Sequence, residues 1–260
     1  MAYRIRNLTP FLLIFIFATS WADAQEEPPP LYEFSFYVAS GSRIRNVRFG
    51  KFDDSGTMIG SSPMGFRSSG RSLKYEYRGI LPLVFFEETP APTPENPDNV
   101  TRTPVAVATP PENIENVIFL FSKNPRYPEA GQKYLVDWVD LDHEKIPAGH
   151  ITIFNTLPLT IRGGVAQDGD QPPEVISVSR GINSPIKISP KATVLLTLET
   201  EEDGLLRAYE DTIYCEPDER VLLVIFPPRF RGSYKLGSKI ISIPSAQAEE
   251  EEETEAADES

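Results

Sequence analysis

Apolar residues recur at every second position through most of the chain. Leu31 to Val38 alternates around Phe34 and Phe36, and Ile44 to Phe52 carries Ile44, Val47, Phe49 and Phe52. Leu73 to Arg78 alternates Leu73, Tyr75 and Tyr77, and glycine- and serine-rich breaks separate the three runs. A period of two, punctuated by such breaks, predicts half-buried strands. Helical periodicity is absent over any useful length, with a weak trace only over 201–210. Two runs depart from alternation: Val117 to Phe121 and Val221 to Phe226 are apolar almost without interruption. A strand apolar on both faces must be covered on both, which predicts that these two lie at the centre of the fold, at the junction of its parts.

The stretch Lys133 to Ile161 concentrates these signals. Tyr134 to Val139 reads as a strand, Lys145 to Gly149 as a proline-glycine turn, and His150 to Phe154 as a second strand ending in Asn155. A third begins near Ile161, so the expectation is an antiparallel meander, followed by a polar turn at Gly163-Gly164. Residues 87–104 read as an exposed proline-rich loop, because proline supplies no backbone donor to a sheet. Leu81-Pro82-Leu83 and Leu157-Pro158-Leu159 each link two strand patterns, and Val117 to Phe121 and Val221 to Phe226 both run on into Pro-Arg-aromatic. The expected fold is therefore all-β, an antiparallel β-sandwich in two lobes, 31–130 and 131–244, related by an internal duplication. Residues 175–207 read as an insertion that enlarges the second lobe.

The ends change the picture. Arg4 and Arg6, an apolar run from Leu8 to Ala18, and Ala22-Asp23-Ala24 have the layout of a cleavable export leader over 1–24, with 25–30 as a linker. That run is shorter than the roughly 20 residues needed to span a bilayer. The expected address is exported, periplasmic or secreted, with no membrane span after cleavage. The single cysteine, Cys215, excludes an internal disulfide and reads as a buried structural residue. Seven Glu and one Asp over 249–260 place −8 of the formal −13 charge in a tail, 245–260, expected to be disordered, either as a solubilising extension or as a cation-binding or docking segment. This balance argues against nucleic acid, whose phosphates require clustered Lys and Arg.

Candidate chemistry is sparse. Asp137, Asp140, Asp142, His143 and Glu144 are the densest group of oxygen and nitrogen donors, read either as a metal-binding loop or as a solvated strand end. His143 and His150 flank one turn without any established metal-ligand spacing. Tyr134 and Trp138 share a strand face, which suits stacking on a sugar ring if exposed and core packing if not. No catalytic constellation is recognisable, and no cofactor is implied.

Ile146-Pro147-Ala148-Gly149, the following strand closing on Phe154-Asn155, and Ser189-Pro190-Lys191 before an apolar strand resemble a group of uncharacterised exported all-β bacterial proteins. The resemblance covers mainly residues 134–226, and Lys191 stands where the group's pattern has glycine. It implies an all-β fold and an export address, and no reaction. The expected function is a non-catalytic structural or interaction role at the cell envelope, with an envelope protein or polysaccharide as partner. The alternative is a carbohydrate- or other ligand-binding module using Trp138, Tyr134 and the acidic loop 137–144. A hydrolase using paired carboxylates is a third reading.

Overall fold

Strand follows strand in the computed structural model, which describes residues 29–243 apart from 69, 94, 95, 97, 98, 143, 168–171, 189 and 201–203. The first lobe comprises β1 (Tyr32–Ser40), β2 (Val47–Phe52), β3 (Met58–Pro63), β4 (Tyr75–Gly79), β5 (Leu83–Pro90), β6 (Val100–Ala108), β7 (Asn116–Lys123) and β8 (Tyr134–Asp140). The second comprises β9 (His150–Asn155), β10 (Ile161–Gln167), β11 (Glu174–Val178), β12 (Gly181–Ile182), β13 (Ile186–Lys187), β14 (Lys191–Thr200), β15 (Gly204–Tyr214), β16 (Arg220–Phe226) and β17 (Gly237–Ile243). The fold is all-β and sandwich-like, and no helix lies among the described residues.

Each lobe is a pair of sheets. The first lobe has the strand orders β4-β1-β7-β8 and β3-β2-β5-β6. The second repeats this plan as β12-β9-β16-β17 and β11-β10-β14-β15, with the two-residue strands β12 and β13 together taking the place of β4. Pairing is antiparallel throughout, except that β1 runs parallel to β7 and β9 parallel to β16.

The apolar runs explain how the lobes stack. On β7, Val117, Phe119 and Phe121 enter the first lobe's core, whereas Ile118 and Leu120 point the other way. On β16, Val221, Leu223 and Ile225 enter the second lobe's core, whereas Leu222, Val224 and Phe226 face Ile118 and Leu120 across the junction. Because successive side chains of a strand project to opposite faces, two inner sheets packed back to back need this pattern and the outer sheets do not. Tyr37, Ala39, Val139, Leu141, Ile146, Phe154, Ile241 and Ile243 complete this third core, giving four layers in which the two continuous apolar strands are central, as their sequence requires.

Several expectations change. The three strands of the predicted meander exist but do not pair: β8 belongs to the first lobe's inner sheet, β9 to the second lobe's inner sheet and β10 to its outer sheet. The first lobe therefore runs through Asp140, beyond the expected limit at 130, because β8 pairs with β7 from Val117↔Asp140 to Lys123↔Tyr134. Both ends of the proline-rich segment 87–104 are strand. β5 continues to Pro90 and β6 begins at Val100, and Pro104 sits on an edge strand beside a register shift, a place where a missing donor costs little. Gly163 and Gly164 lie within β10, not in a turn; a Cβ on Gly163 would stand 2.1 Å from the Leu195 carbonyl oxygen of β14.

The two Leu-Pro-Leu segments are not equivalent, since one joins β4 to β5 and the other joins β9 to β10. Val117 and Val221 do correspond, each being the second residue of a central strand paired in parallel, with Phe36 and Ile151 respectively. Residues 175–207 are no insertion: β11 to β15 occupy the places of β3 to β6.

The linker between the lobes is held by Arg220, which is 5% exposed. Its Nε donates to the Ile146 carbonyl at 2.8 Å and its Nη2 to the Leu141 carbonyl. Asn155, fully buried, pins the β9–β10 corner by donating to the Leu159 and Val178 carbonyls and accepting from the Leu157 amide. A buried amide with these bonds satisfied explains why the strand closes on asparagine.

Candidate ligand groove between the lobes

The residues singled out in the sequence are occupied with other work. Tyr134 is buried and Trp138 half-buried, both packed against the first lobe's core, so they present no open stacking platform. Asp137 lies on the opposite face of β8, where Arg180 Nη2 donates to its Oδ1 at 3.2 Å. Burial pushes the Asp137 carboxyl up and Arg180 draws it part of the way back. Asp140 accepts from the Asp142 amide and from Lys145 Nζ at 2.6 Å, and Asp142 accepts from the Glu144 amide. These carboxylates fold the linker rather than converge, and among the described residues no three His, Cys, Asp or Glu side chains could hold a metal ion. His143 lies outside the described residues. His150 Nδ1 is 2.7 Å from the Ala148 carbonyl oxygen across the turn.

Cys215 is 1% exposed, and burial together with the Glu219 charge pushes its thiol up to about 11. The thiolate is the nucleophile, so this site is chemically quiet. Iodoacetamide at pH 8 is expected to alkylate Cys215 in the folded protein more than about 100-fold more slowly than in urea. Equal rates, read by intact-mass spectrometry, would contradict the buried setting.

A different set of residues does converge. At one end of the two inner sheets the β1–β2 loop, the β3–β4 loop, the end of β7 and the β16–β17 loop surround a groove of about 900 Å³. Its apolar surface comes from Phe66, Pro125, Pro227 and Pro228, backed by the buried Ile44 and Phe226, with Phe230 at the rim, 76% exposed. Gly41 lets the β1–β2 loop cross the Phe226 ring, since a Cβ there would come within 2.5 Å of Cγ.

Five cations line the same groove: Arg43, Arg67, Lys123, Arg229 and Lys239, with no carboxylate among the lining residues. Arg43, Arg67, Lys123 and Arg229 form no ion pair with a described carboxylate, while Arg48, Arg78, Arg102 and Lys133 elsewhere in the first lobe do. Lys239 Nζ donates to the Arg67 carbonyl at 2.8 Å. Its ammonium is held below the usual lysine range, first by burial and then by the charge of Arg229. Ser42, also in the lining, has a buried Oγ without a hydrogen-bond partner among the described residues. Like charges gathered around an apolar surface, in a chain of formal charge −13, make a local field suited to an anion.

Sequence reading missed this site because its cations lie almost 200 positions apart, from Arg43 to Lys239, and only the fold gathers them. One signal pointed there. Of the recurring Pro-Arg-aromatic segments, Pro125 and Pro228-Arg229-Phe230 stand in loops at the same place in each lobe, and both loops reach the groove.

No protein-family model matches the chain, and neither does any curated protein.

Proposed function

We propose that this is an exported, non-catalytic binding protein of the cell envelope whose inter-lobe groove takes a small amphiphile with an anionic head. The observation that carries the reading is the ring of five cations, with no carboxylate, around an apolar surface. Apolar walls with a few convergent polar groups are the usual make-up of a small-molecule site. The export address is supported by the leader-like pattern of residues 1–24 and by the resemblance to exported all-β proteins. The shared strand order of the lobes supports an origin by duplication, and the groove would then be a feature of the joined pair, since both lobes line it. A sugar-binding surface at Tyr134 and Trp138 has less support, because both side chains pack inward.

The probe that tests this is 8-anilinonaphthalene-1-sulfonate, an anion with an aromatic body whose fluorescence rises in apolar surroundings. Saturable binding is expected, weakening as salt is raised. The double variant Lys123→Glu, Arg229→Glu should weaken it about tenfold or more, since each reversal replaces attraction by repulsion. Lys51→Glu, on the exposed face of β2 away from the groove, serves as the control for net charge. Equal affinity in the double variant and the wild type, with both folded by circular dichroism, would overturn the reading.

A further inference from the structure

We propose that the acidic segment 249–259 of the same chain docks in the inter-lobe groove and competes with its ligand. This rests on the reading of the groove as an anion site and adds an occupant supplied by the protein itself.

The geometry begins with β17. Its first residue, Gly237, pairs with Phe226 at the groove, and its last, Ile243, pairs with Arg220 at the far end of the sheet. Six steps of strand separate those ends, about 20 Å at ~3.3 Å per residue. A chain leaving Ile243 and turning back covers the same distance in about six residues, which brings it to Glu249, where the acidic run begins. A chain that takes this path would bring the acidic run within reach of the groove.

Charge supplies the selectivity. The segment carries seven Glu and one Asp, and the groove carries five cations without a lining carboxylate. The remainder of the chain is acidic on balance and offers the segment net repulsion. Tethering raises its local concentration to about the millimolar range, so modest affinity suffices for occupancy. The segment lacks large apolar side chains, so it engages the cations and leaves Phe66 and Phe230 uncovered. A ligand with both an anionic head and an apolar body therefore displaces it, whereas a simple anion does so poorly.

The test compares the full-length chain with a full-length variant in which Glu249, Glu250, Glu251, Glu252, Glu253 and Glu255 are each changed to Gln. The anilinonaphthalene sulfonate probe is expected to bind the variant about tenfold more tightly at low salt, with the difference gone near ~1 M salt, where screening is nearly complete. A synthetic peptide of residues 247–260 added to the variant should restore the weaker binding. Lys123 should be acetylated faster in the variant, with Lys51 unchanged, which separates docking from a general change of field. Equal probe affinity in both chains, or parallel changes at Lys123 and Lys51, overturns the docking while leaving the groove reading intact. Absence of probe binding in both chains, together with no effect of Arg229→Glu, removes the groove reading itself.

Discussion

Arg220→Ala is expected to lower stability by about 3–5 kcal/mol, because a charged donor that serves two carbonyls is removed from a buried position. Arg220 is 5% exposed and donates to the Ile146 and Leu141 carbonyls of the linker between the lobes. Each such bond contributes about 1.5–3 kcal/mol, and its loss leaves an acceptor with neither protein nor bulk water. Arg220→Lys keeps the charge but cannot span both carbonyls in the same way, so it should recover only part of the loss. Urea denaturation followed by far-ultraviolet circular dichroism measures this. A midpoint unchanged in Arg220→Ala would show that the linker is held by something else.

The second large effect is expected at the junction of the inner sheets. Leu222 is fully buried between the lobes, in the cluster that holds Ile118, Leu120, Val224 and Ile241. Leu222→Ala should cost about 2–5 kcal/mol through lost contacts and the cavity left behind. Leu222→Asp should cost more than ~4 kcal/mol, since a carboxylate there is fully buried in a mainly apolar junction, where Thr152 on β9 offers one hydroxyl and Arg220 is committed to the Ile146 and Leu141 carbonyls. Each lobe retains a core of its own, so the expected outcome is separation of the lobes before either one melts. Trypsin reports this at Lys145, in the linker: cleavage should be much faster in Leu222→Asp than in the wild type. An unaltered cleavage rate would mean that the lobes do not depend on this face.

The strands were legible because alternation and turn residues are local signals. The central position of Val117 to Phe121 and Val221 to Phe226 was legible for a firmer reason, since no half-exposed strand tolerates apolar residues on both faces. Partner choice was not legible. β8, β9 and β10 follow one another in the chain, yet enter three sheets, because the chain leaves the first lobe after β8 and passes from the inner to the outer sheet of the second lobe after β9, whereas other neighbours such as β7 and β8 do pair as hairpins. Similar turn chemistry recurs wherever a chain must bend, which is why the Leu-Pro-Leu segments matched in sequence and not in place. Pro104 misled in the same way: proline argues against a central strand, but it is tolerated on the edge at a bulge.

Function was less legible still. Tyr134, Trp138 and the acidic run from Asp137 to Glu144 drew attention because they are close in sequence, and folding directs them to core packing, ion pairs and turns. Beyond the repeated Pro-Arg-aromatic segments, the groove residues carry no mutual signal in the chain. Arg43 and Arg67 stand in loops of the first lobe, Lys123 at the end of β7, and Arg229 and Lys239 in the second lobe, so only packing of the inner sheets makes them neighbours.

The most direct measurement is a crystal structure of the full chain with decyl phosphate, an anionic head on an apolar tail. If the groove reading is right, phosphate oxygens lie within hydrogen-bonding distance of at least two of Arg43, Arg67, Lys123, Arg229 and Lys239, with the alkyl chain against Phe66 and Phe230. A groove empty at saturating ligand, or the ligand bound at another surface, would contradict it.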